Sequence, residues 1–506
     1  MPVLPEVSFF RIDRNHPRQL IAINKETDSE PHLECYKIEM TPQMKVLDAL
    51  QAINDKYDED ISFRSSCRAG QCGSCGILFN GNGALACQKD IKDGAIIEPL
   101  KFPIVKDLIV DKSSIENKVK DLQLTLDNQH TNGLDNRLTK DNIKETKKVR
   151  SCIECYSCLS TCPVVNIATE DFGGPYIMRY ISKFESDPRD EFKTRIKESL
   201  SEGLYNCTSC GKCKSVCPKD INTFSDAIER MRAIACADDL GPLLEHVAIK
   251  KNVLETGRSL QEPNGTAFID EVENYKNSKI ALFTGCMLDY RLQHVGHKLL
   301  KVCEANGIKI DVPKGQVCCG SPLLRTGQVD AVQSLVDKNK EVFKEYDTVI
   351  TLCSGCGATL KNNHPQFGSK LNVMDISEFL VDKLNTSKMK DVNMIVTWHD
   401  PCHLARGQGI KDEPREIIEM IKGVEFKEMK YPRQCCGAGG GIKSGKPEIA
   451  LELAKDKAKM IKDTGAEAVI TICPFCERNL QDGLDESGYS NIKSMHILEL
   501  LDKAYE

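Results

Sequence analysis

The chain has 506 residues, of which 41% are hydrophobic, and its formal net charge is −6. At about 100–200 residues per domain this length predicts three or four domains, and the acidic balance argues against nucleic acid and anionic lipid as partners. The sequence has no apolar run of the ~20 residues that cross a bilayer and no secretion signal at its start, so the expected location is the cytoplasm.

Residues 1–110 combine short β-rich runs (VSFFRI and CYKIEM) with a helical stretch (VLDALQAINDKY) and a glycine-rich cysteine loop. This order predicts a small α+β domain. Residues 111–148 are polar and charged, which favours a linker. Residues 149–250 carry two cysteine runs separated by helix-favouring sequence, and residues 251–277 are interpreted as a second linker.

From residue 278 onward, strands and helices alternate, and their order repeats after about 120 residues. The segments TVITLCSGCGATL (348–360) and AVITICPFCERNL (468–480) are plainly related. The repeat predicts two α/β domains with parallel sheets, at 278–390 and 391–506. Their cysteines follow the strands, so they should lie at the carboxyl ends, where open α/β sheets bind ligands.

Cysteine is the unusual residue, with 25 in the chain. Twenty-two of them fall into groups of four, eight and ten with regular spacing. Such spacing in a long chain is typical of metal ligands, whereas disulfide frameworks are typical of short secreted proteins. The remaining three, Cys35, Cys236 and Cys303, are interpreted as packing residues.

The first cysteine group predicts a [2Fe–2S] cluster. It comprises Cys67, Cys72, Cys75 and Cys87. Its C-x4-C-x2-C opening with a distant fourth cysteine is the plant-type spacing. Gly70, Gly73 and Gly76 would let the backbone wrap a cluster closely. The alternative, a zinc site, is disfavoured by the unequal spacing.

The second and third groups are both C-x2-C-x2-C-x3-C-P, the run of bacterial ferredoxins, in which paired runs exchange their fourth cysteine. Two [4Fe–4S] clusters are therefore predicted. One would be held by Cys152, Cys155, Cys158 and Cys217. The other would be held by Cys207, Cys210, Cys213 and Cys162.

Each of the last two groups has five cysteines: a single cysteine, a CCG tripeptide and a C-x2-C pair. The first quintet is Cys286, Cys318, Cys319, Cys353 and Cys356, and the second quintet is Cys402, Cys435, Cys436, Cys473 and Cys476. A cubane needs only four protein thiolates, so a fifth indicates a more open cluster in which adjacent cysteines bind different irons or bridge two. The alternative is a cubane or zinc site with a spare thiol.

Charged residues near these groups are candidates for chemistry. His399 and His403 flank Cys402 and are candidate proton shuttles; His403 is the predicted catalytic residue, with a structural role as the alternative. Four basic residues are candidates for binding acidic groups of a substrate: Lys212, Lys214, Arg325 and Arg406. The alternative for each is an ordinary solvated charge.

Three resemblances cover nearly the whole chain. Residues 1–115 resemble the iron–sulfur subunit of succinate dehydrogenase and fumarate reductase, through SCRAGQCGSC, Cys87 and FPIVKDLIVD (102–111). CIECYSCLSTCP extends that likeness, but the third group keeps a cysteine that the family usually lacks, as in the small subunit of heterodisulfide reductase. Residues 278–506 resemble the catalytic subunit of that enzyme, with both CCG domains intact.

A fusion of these parts resembles the iron–sulfur subunits of methanogen thiol:fumarate reductases. The likeness implies a multidomain α+β protein: a β-grasp [2Fe–2S] ferredoxin domain, an α-helical domain with two [4Fe–4S] clusters, and two tandem α/β CCG domains. It also implies non-cubane [4Fe–4S] clusters at the ten quintet cysteines, which would then be the catalytic centre. There the thiols of coenzyme M and coenzyme B would be oxidised to their heterodisulfide.

By the same resemblance, the partner in a heterodimer is a flavoprotein subunit in which FAD reduces fumarate to succinate. The segment GAGGG (437–441) lacks the spacing of a dinucleotide-binding motif, so FAD is expected only in the partner. An alternative is an electron-transfer subunit of a succinate, glycolate or lactate-type dehydrogenase without its own thiol site. A further alternative is a zinc-stabilised scaffold, which would be colourless, whereas the clusters predict a brown protein with about sixteen to eighteen irons.

Overall fold

The structure, a computed structural model, describes residues 18–23, 32–57, 59–127, 139–192, 194–273 and 278–506. The predicted strand VSFFRI (7–12) and the centre of the predicted charged linker (128–138) lie outside these residues. The chain divides into two compact units. The first unit is Met1–Leu204 with Gly211–Ile228, and the second unit is Tyr205–Cys210 with Glu229–Glu506.

The first unit begins with a small mixed sheet that positions the first cysteine group. Its elements are β1 (Arg18–Ile23), β2 (His32–Lys37), α1 (Val46–Tyr57), β3 (Gly76–Phe79), β4 (Asn82–Leu85), β5 (Ala95–Glu98), β6 (Ile104–Lys106) and β7 (Ile109–Val110). Five strands form one sheet in the order β2-β1-β5-β3-β4, with β1 parallel to β5 and the other pairs antiparallel. The predicted helix VLDALQAINDKY is confirmed as α1, whose apolar face packs into the core of this domain because its buried residues recur at helical spacing.

The rest of the first unit is helical. Its helices are α2 (Ser113–Asp121), α3 (Lys140–Arg150), α4 (Ser157–Ser160), α5 (Gly174–Glu185), α6 (Arg195–Ser201) and α7 (Lys212–Ser215). Helix α2 and all but the last two residues of α3 lie within the segment interpreted as a charged linker, 111–148. The short helices α4 and α7 each lie inside a cysteine run, so the flanking cysteines sit on tight turns. A π-helical turn covers Phe224–Glu229, and a 3-10 turn covers Leu204–Asn206.

The second unit contains the two repeats, preceded by α8 (Arg230–Ala237), α9 (Leu244–Thr256) and α10 (Phe268–Glu271). The first repeat comprises β8 (Ile280–Phe283), α11 (Gly285–Tyr290), α12 (Gln293–Ala305), α13 (Ser321–Thr326), α14 (Val332–Phe343), β9 (Thr348–Thr351), α15 (Ser354–Asn362), β10 (Val373–Asp375) and α16 (Ile376–Leu380), with 3-10 turns at Val329–Ala331, His364–Phe367 and Thr386–Lys388. Its sheet is parallel in the order β10-β9-β8.

The second repeat has the same arrangement with one more full strand. It comprises β11 (Met394–Trp398), α17 (Cys402–Ala405), α18 (Glu413–Met420), β12 (Val424–Phe426), α19 (Ile442–Gly445), α20 (Pro447–Lys462), β13 (Ala468–Thr471), α21 (Pro474–Glu486), β14 (Lys493–His496) and α22 (Ile497–Tyr505). Its parallel sheet has the order β12-β11-β13-β14. In the first repeat the predicted strand IKIDVP is reduced to one bridge, between Asp311 and Ala281, so it occupies the place that β12 takes in the second.

Residues of both repeats share one hydrophobic core. Leu282 and Ile350 of the first sheet pack in the same cluster as Trp398 and Ile470 of the second, and all four are almost fully buried. The predicted parallel α/β architecture is confirmed for both repeats. Within the described ranges, the structure has no helix both long and apolar enough to span a bilayer.

Candidate functional site

Cys67, Cys72 and Cys75 lie on a loop between α1 and β3, and Cys87 follows β4. Cys67 and Cys72 are exposed, whereas Cys75 and Cys87 are buried. The Cys67 sulfur accepts backbone N–H groups from residues 69, 71 and 72 at 3.3–3.4 Å. A hydrogen bond from the Ser74 side chain helps to lower the pKa of Cys72 to about 6. N–H groups aimed at sulfur stabilise thiolate, the form that binds metal.

Glycine lets this loop contact the second cysteine group. Gly73 has a φ of +70°, and a Cβ placed on it would lie 2.2 Å from the carbonyl oxygen of Ile153. A Cβ on Gly76 would lie 2.7 Å from the carbonyl oxygen of Cys155. Any larger residue would separate the two loops, so the glycines keep the predicted [2Fe–2S] and [4Fe–4S] ligands close together.

One cavity of the first unit collects the four cysteines assigned to the first [4Fe–4S] cluster. Cys152, Cys155, Cys158 and Cys217 all line it, and so does Cys213, which is assigned to the second cluster. Burial, followed by the charges of the other three sulfurs, raises the pKa of Cys158 well above its usual value. Four thiolates facing one cavity repel each other unless a cation lies between them, so the donor set fits a metal cluster.

The four cysteines assigned to the second [4Fe–4S] cluster are divided between the units. Cys162 and Cys213 belong to the first unit, and Cys207 and Cys210 belong to the second. Within the second unit, the Cys207 sulfur accepts the N–H of Ser209 at 3.3 Å. The assignment of this cluster stays a prediction.

All ten cysteines of the two quintets line one cavity of about 350 Å³ in the second unit. They reach it because each repeat places its cysteines just beyond the carboxyl ends of parallel strands. Cys353 follows β9 and precedes α15, and Cys473 has the same place between β13 and α21. A helix N-terminus stabilises a thiolate by its dipole.

The doubled cysteines of each CCG turn point to different partners. In the first quintet, Cys318 is hydrogen-bonded to Cys286, while the Cys319 sulfur lies 3.4 Å from that of Cys356. The second quintet repeats this pattern, with Cys435 bonded to Cys402 and Cys436 bonded to Cys476. Two adjacent thiols that each have a different further partner are suited to different irons of one open cluster.

The two quintets meet at Cys353 and Cys473, whose side chains are hydrogen-bonded to each other. Hydrogen bonds to Cys319 and Cys353, together with burial, raise the pKa of Cys356 well above its usual value. Ten buried thiols cannot all ionise at neutral pH without compensating cations. Soft thiolates are ligands for iron–sulfur clusters, so the residues present fit a metal centre in each quintet.

Glycine at the end of each CCG turn permits its left-handed conformation. Gly320 has a φ of +84° and Gly437 a φ of +94°. A Cβ on Gly437 would lie 2.6 Å from the Ala450 carbonyl oxygen, whereas the nearest atom to a Cβ on Gly320 would be Val332 Cγ1 at 3.4 Å. The second turn is therefore packed more tightly than the first.

His403 lines the same cavity. Its Nε2 lies 3.2 Å from the carbonyl oxygen of Ser209, and since a carbonyl only accepts, Nε2 carries the proton. Burial, with the Arg325 charge as a smaller cause, lowers the pKa of His403. The ring is therefore neutral near pH 7, and its Nδ1, on the side of Gly355, keeps a lone pair that can accept a proton.

Two cationic side chains line the cavity. Arg325, predicted from the sequence, donates to Glu229 Oε2 at 2.6 Å. Lys443, which the sequence reasoning missed, donates to Asn479 Oδ1 at 2.6 Å and pairs with Asp482. Both cations come five or six residues after a CCG turn, so aligning the two repeats would have revealed Lys443.

The other predicted cations have different places. Arg406 lies 2.9 Å from the Cys402 sulfur, and its Nε donates to the Cys210 carbonyl at 2.7 Å. Lys212 and Lys214 belong to the first unit, where Lys212 donates to Asn82. Arg406 therefore contacts a cysteine of the second quintet, whereas the hydrogen bond of Lys212 lies within the first unit.

The third cysteine group reaches the second quintet inside the second unit. Cys210 packs with Cys402 and Cys435 in one buried cluster, and its side chain is hydrogen-bonded to both. The Arg406 side chain donates to the Cys210 carbonyl of the same loop. The predicted ligands of a [4Fe–4S] cluster and of the second quintet are thus direct neighbours.

Comparison with known proteins matches every cysteine-rich region. A 2Fe-2S iron-sulfur cluster binding domain matches residues 10–117, a 4Fe-4S dicluster domain matches 148–221, and a cysteine-rich domain, CCG, matches 280–361 and 396–481. The B subunit of fumarate reductase (CoM/CoB) from Methanothermobacter marburgensis is 55% identical over 94% of this chain and 97% of its own length.

More distant relatives share parts of this organisation. The D subunit of dihydromethanophenazine:CoB–CoM heterodisulfide reductase from Methanosarcina acetivorans is 33% identical over 66% of this chain and 89% of its own length. The crystal structure of a hypothetical protein from Helicobacter pylori has a similar fold, with 13% identity and a TM-score of 0.62 over 98% of this chain and 96% of that one.

Proposed function

Because this chain, an oxidoreductase subunit with iron–sulfur domains, belongs to the family of the fumarate reductase (CoM/CoB) B subunit, we propose that it oxidises two thiols, coenzyme M and coenzyme B, to their heterodisulfide. The two electrons would pass to a flavoprotein subunit whose FAD reduces fumarate to succinate. The observation that carries this proposal is the single cavity lined by both complete quintets.

The lining of the cavity supports small anionic thiols as substrates. Its volume of about 350 Å³ would be shared between the clusters held by the quintets and the bound thiols. Arg325 and Lys443 would attract acidic groups, and the mostly apolar lining would exclude water. Clusters bound at the ten cysteines would supply one-electron transfer and soft iron sites for sulfur.

The reaction balances as two thiols giving one disulfide, two electrons and two protons, and fumarate then takes two electrons and two protons. A thiol must lose its proton before its sulfur can bind iron. His403 Nδ1 can accept that proton, while Nε2–H stays bonded to Ser209 and fixes the ring. The contact of Cys210 with Cys402 and Cys435 supports electron exit beside the second quintet.

The test uses the purified anaerobic complex with both thiols and fumarate. One heterodisulfide should form for each succinate. If the thiols are not consumed while the flavin still reduces fumarate from an artificial donor, the chain is an electron-transfer subunit without a thiol site. A colourless protein that contains zinc would exclude both thiol oxidation and electron transfer as functions of this chain.

A pair of variants makes the test specific to the cavity. Lys443→Gln should raise the KM for the thiols by about tenfold, a loss of about 1.4 kcal/mol, and leave donor-driven fumarate reduction unchanged. Lys455→Gln is the matched control, because Lys455 pairs with Glu452 on the surface. The cytoplasmic location stays a prediction.

A further inference from the structure

The second quintet has a buried histidine beside its CCG cysteines. His399 immediately follows β11 and is fully buried. Its nearest ring nitrogen and the sulfurs of Cys436 and Cys476 all lie within 4.8 Å of one another. The backbone fixes this position, because the N–H of His399 donates to the Ile470 carbonyl at 3.0 Å.

Within the described ranges, neither ring nitrogen of His399 has a nitrogen or oxygen partner. Buried polar groups are almost always paired, and each of the other buried histidines has a partner on at least one ring nitrogen, although Nδ1 of His246 and Nδ1 of His364 have none. His246 binds the Gly441 carbonyl and His364 binds the Cys319 carbonyl, both at 2.9 Å. His399 differs from them because its ring is directed only at sulfur.

The first quintet serves as an internal comparison. Thr284 occupies the position of His399, just beyond β8, and both its N–H and its hydroxyl donate to Gln316 Oε1 at 2.9 and 3.2 Å. Cys319 and Cys356 there face each other at 3.4 Å, and no histidine among the described residues completes a metal-binding group with them. The nitrogen donor thus belongs to one quintet and not to the other.

We propose that His399 is a sixth protein ligand of the metal centre in the second quintet, bound through a ring nitrogen beside Cys436 and Cys476. This inference rests on the proposed function, which assigns that centre. A neutral imidazole adds a ligand without adding negative charge, and histidine ligands raise the potential of iron–sulfur centres relative to thiolate ligands. The two quintets are then unequal, and the one that adjoins Cys210 holds an electron more firmly.

The experiment uses the complete complex from cells supplied with ¹⁵N-histidine. Pulsed EPR spectra are recorded across a redox titration, because thiol oxidation in one-electron steps passes through odd-electron states. A strongly coupled nitrogen with the ¹⁵N splitting is expected. It should disappear in His399→Cys, which also lowers the midpoint potential of one centre, and it should persist in His403→Gln, whose ring is bonded to Ser209.

Iron release to a chelator provides a second measurement. His399→Ala should lose iron from one centre about 10–100-fold faster than the wild type, the usual effect of removing a supporting metal contact. His399→Cys should restore slow release because it again offers a donor. If the wild type has its full iron content but shows no strongly coupled nitrogen at any potential, His399 is not a ligand. That result overturns the histidine ligand and leaves the proposed function intact.

The proposed function has a separate control. A double variant, Cys435→Ser with Cys436→Ser, removes the CCG thiols of the second quintet. If its iron content equals that of the wild type, the second quintet holds no iron. That result overturns the proposed function together with the histidine ligand. It therefore differs from the first outcome, in which only the histidine ligand fails.

Discussion

Arg232 offers the sharpest test of how the second unit is held together. Its guanidinium is fully buried in α8 and donates to three backbone carbonyls. Nη1 binds the carbonyls of Arg325 and Gly440 at 2.6 and 3.0 Å, and Nη2 binds that of Cys207 at 3.0 Å. One side chain therefore joins the segments that follow the first CCG turn and the second CCG turn to the start of the third cysteine group.

Replacing this arginine leaves the three carbonyls without their donor. Each hydrogen bond from a charged group contributes about 1.5–3 kcal/mol, but removing the guanidinium also removes the cost of burying its charge. Each buried carbonyl that is left without a donor costs about 1–3 kcal/mol. We therefore expect Arg232→Met to lower the free energy of unfolding by about 3–5 kcal/mol, or the midpoint of thermal unfolding by about 6–20 °C.

The assay is anaerobic thermal unfolding of the full chain, followed by far-UV circular dichroism at matched iron content. Arg478→Met is the control, because the Arg478 side chain is 76% exposed and pairs with Asp482 at 3.4 Å. An exposed pair contributes at most about 1 kcal/mol. If the midpoint of Arg232→Met lies within about 2 °C of the midpoint of this control, the buried guanidinium does not hold the three segments together.

Three further predictions concern the CCG turns, the cysteines and a buried histidine. In chemical denaturation, Gly437→Ala should lower the free energy of unfolding by about 1–3 kcal/mol more than Gly320→Ala. Both alanines would have a left-handed backbone, but only the Cβ at residue 437 would meet a backbone oxygen at 2.6 Å. Equal losses would contradict the tighter packing of the second turn. By metal analysis, Cys319→Ala should lose up to about four irons per chain, whereas Cys303→Ala, in the apolar core, should lose none; a similar loss from both would refute the assignment. Burial lowers the pKa of His246, so the folded chain binds fewer protons than the unfolded chain below pH 6.5, and stability should fall as pH decreases from there. His246→Gln should flatten that fall by up to about 1.4 kcal/mol per pH unit in denaturant titrations, and an unchanged slope would show that another group causes it.

The sequence was most informative where local pattern decides structure. Helical spacing predicted α1, α12, α14 and α20, and apolar runs predicted β9 and β13, because each of these elements buries one face against a nearby neighbour. The helices α2 and α3 went unpredicted because their sequences are mostly charged and give a weak apolar stripe. The run IKIDVP also looks like a strand, but in the fold it pairs only at Asp311.

The contacts that make the candidate site were harder to predict, since they join residues far apart in sequence. Spacing showed that each CCG turn supplies two thiols, but the fold decides that Cys318 faces Cys286 while Cys319 faces Cys356. Similarly, no local signal places Arg232 against residue 440, because its partners are carbonyl groups. A repeat-to-repeat alignment, in contrast, would have indicated both Lys443 and the exchange of Thr284 for His399.

The duplicated domain also explains why two similar quintets need not do the same work. Their inner ends meet at Cys353 and Cys473, as expected of repeated parallel sheets whose strand ends face one cavity. Their outer ends differ: Cys286 accepts the N–H of Ser259 at 3.3 Å, whereas Cys402 contacts Cys210. A thiol pair that forms one disulfide needs two sulfur sites but only one exit for electrons. The contact with Cys210 favours the second quintet for that exit, and a nitrogen ligand that raises its potential would draw electrons toward the same end.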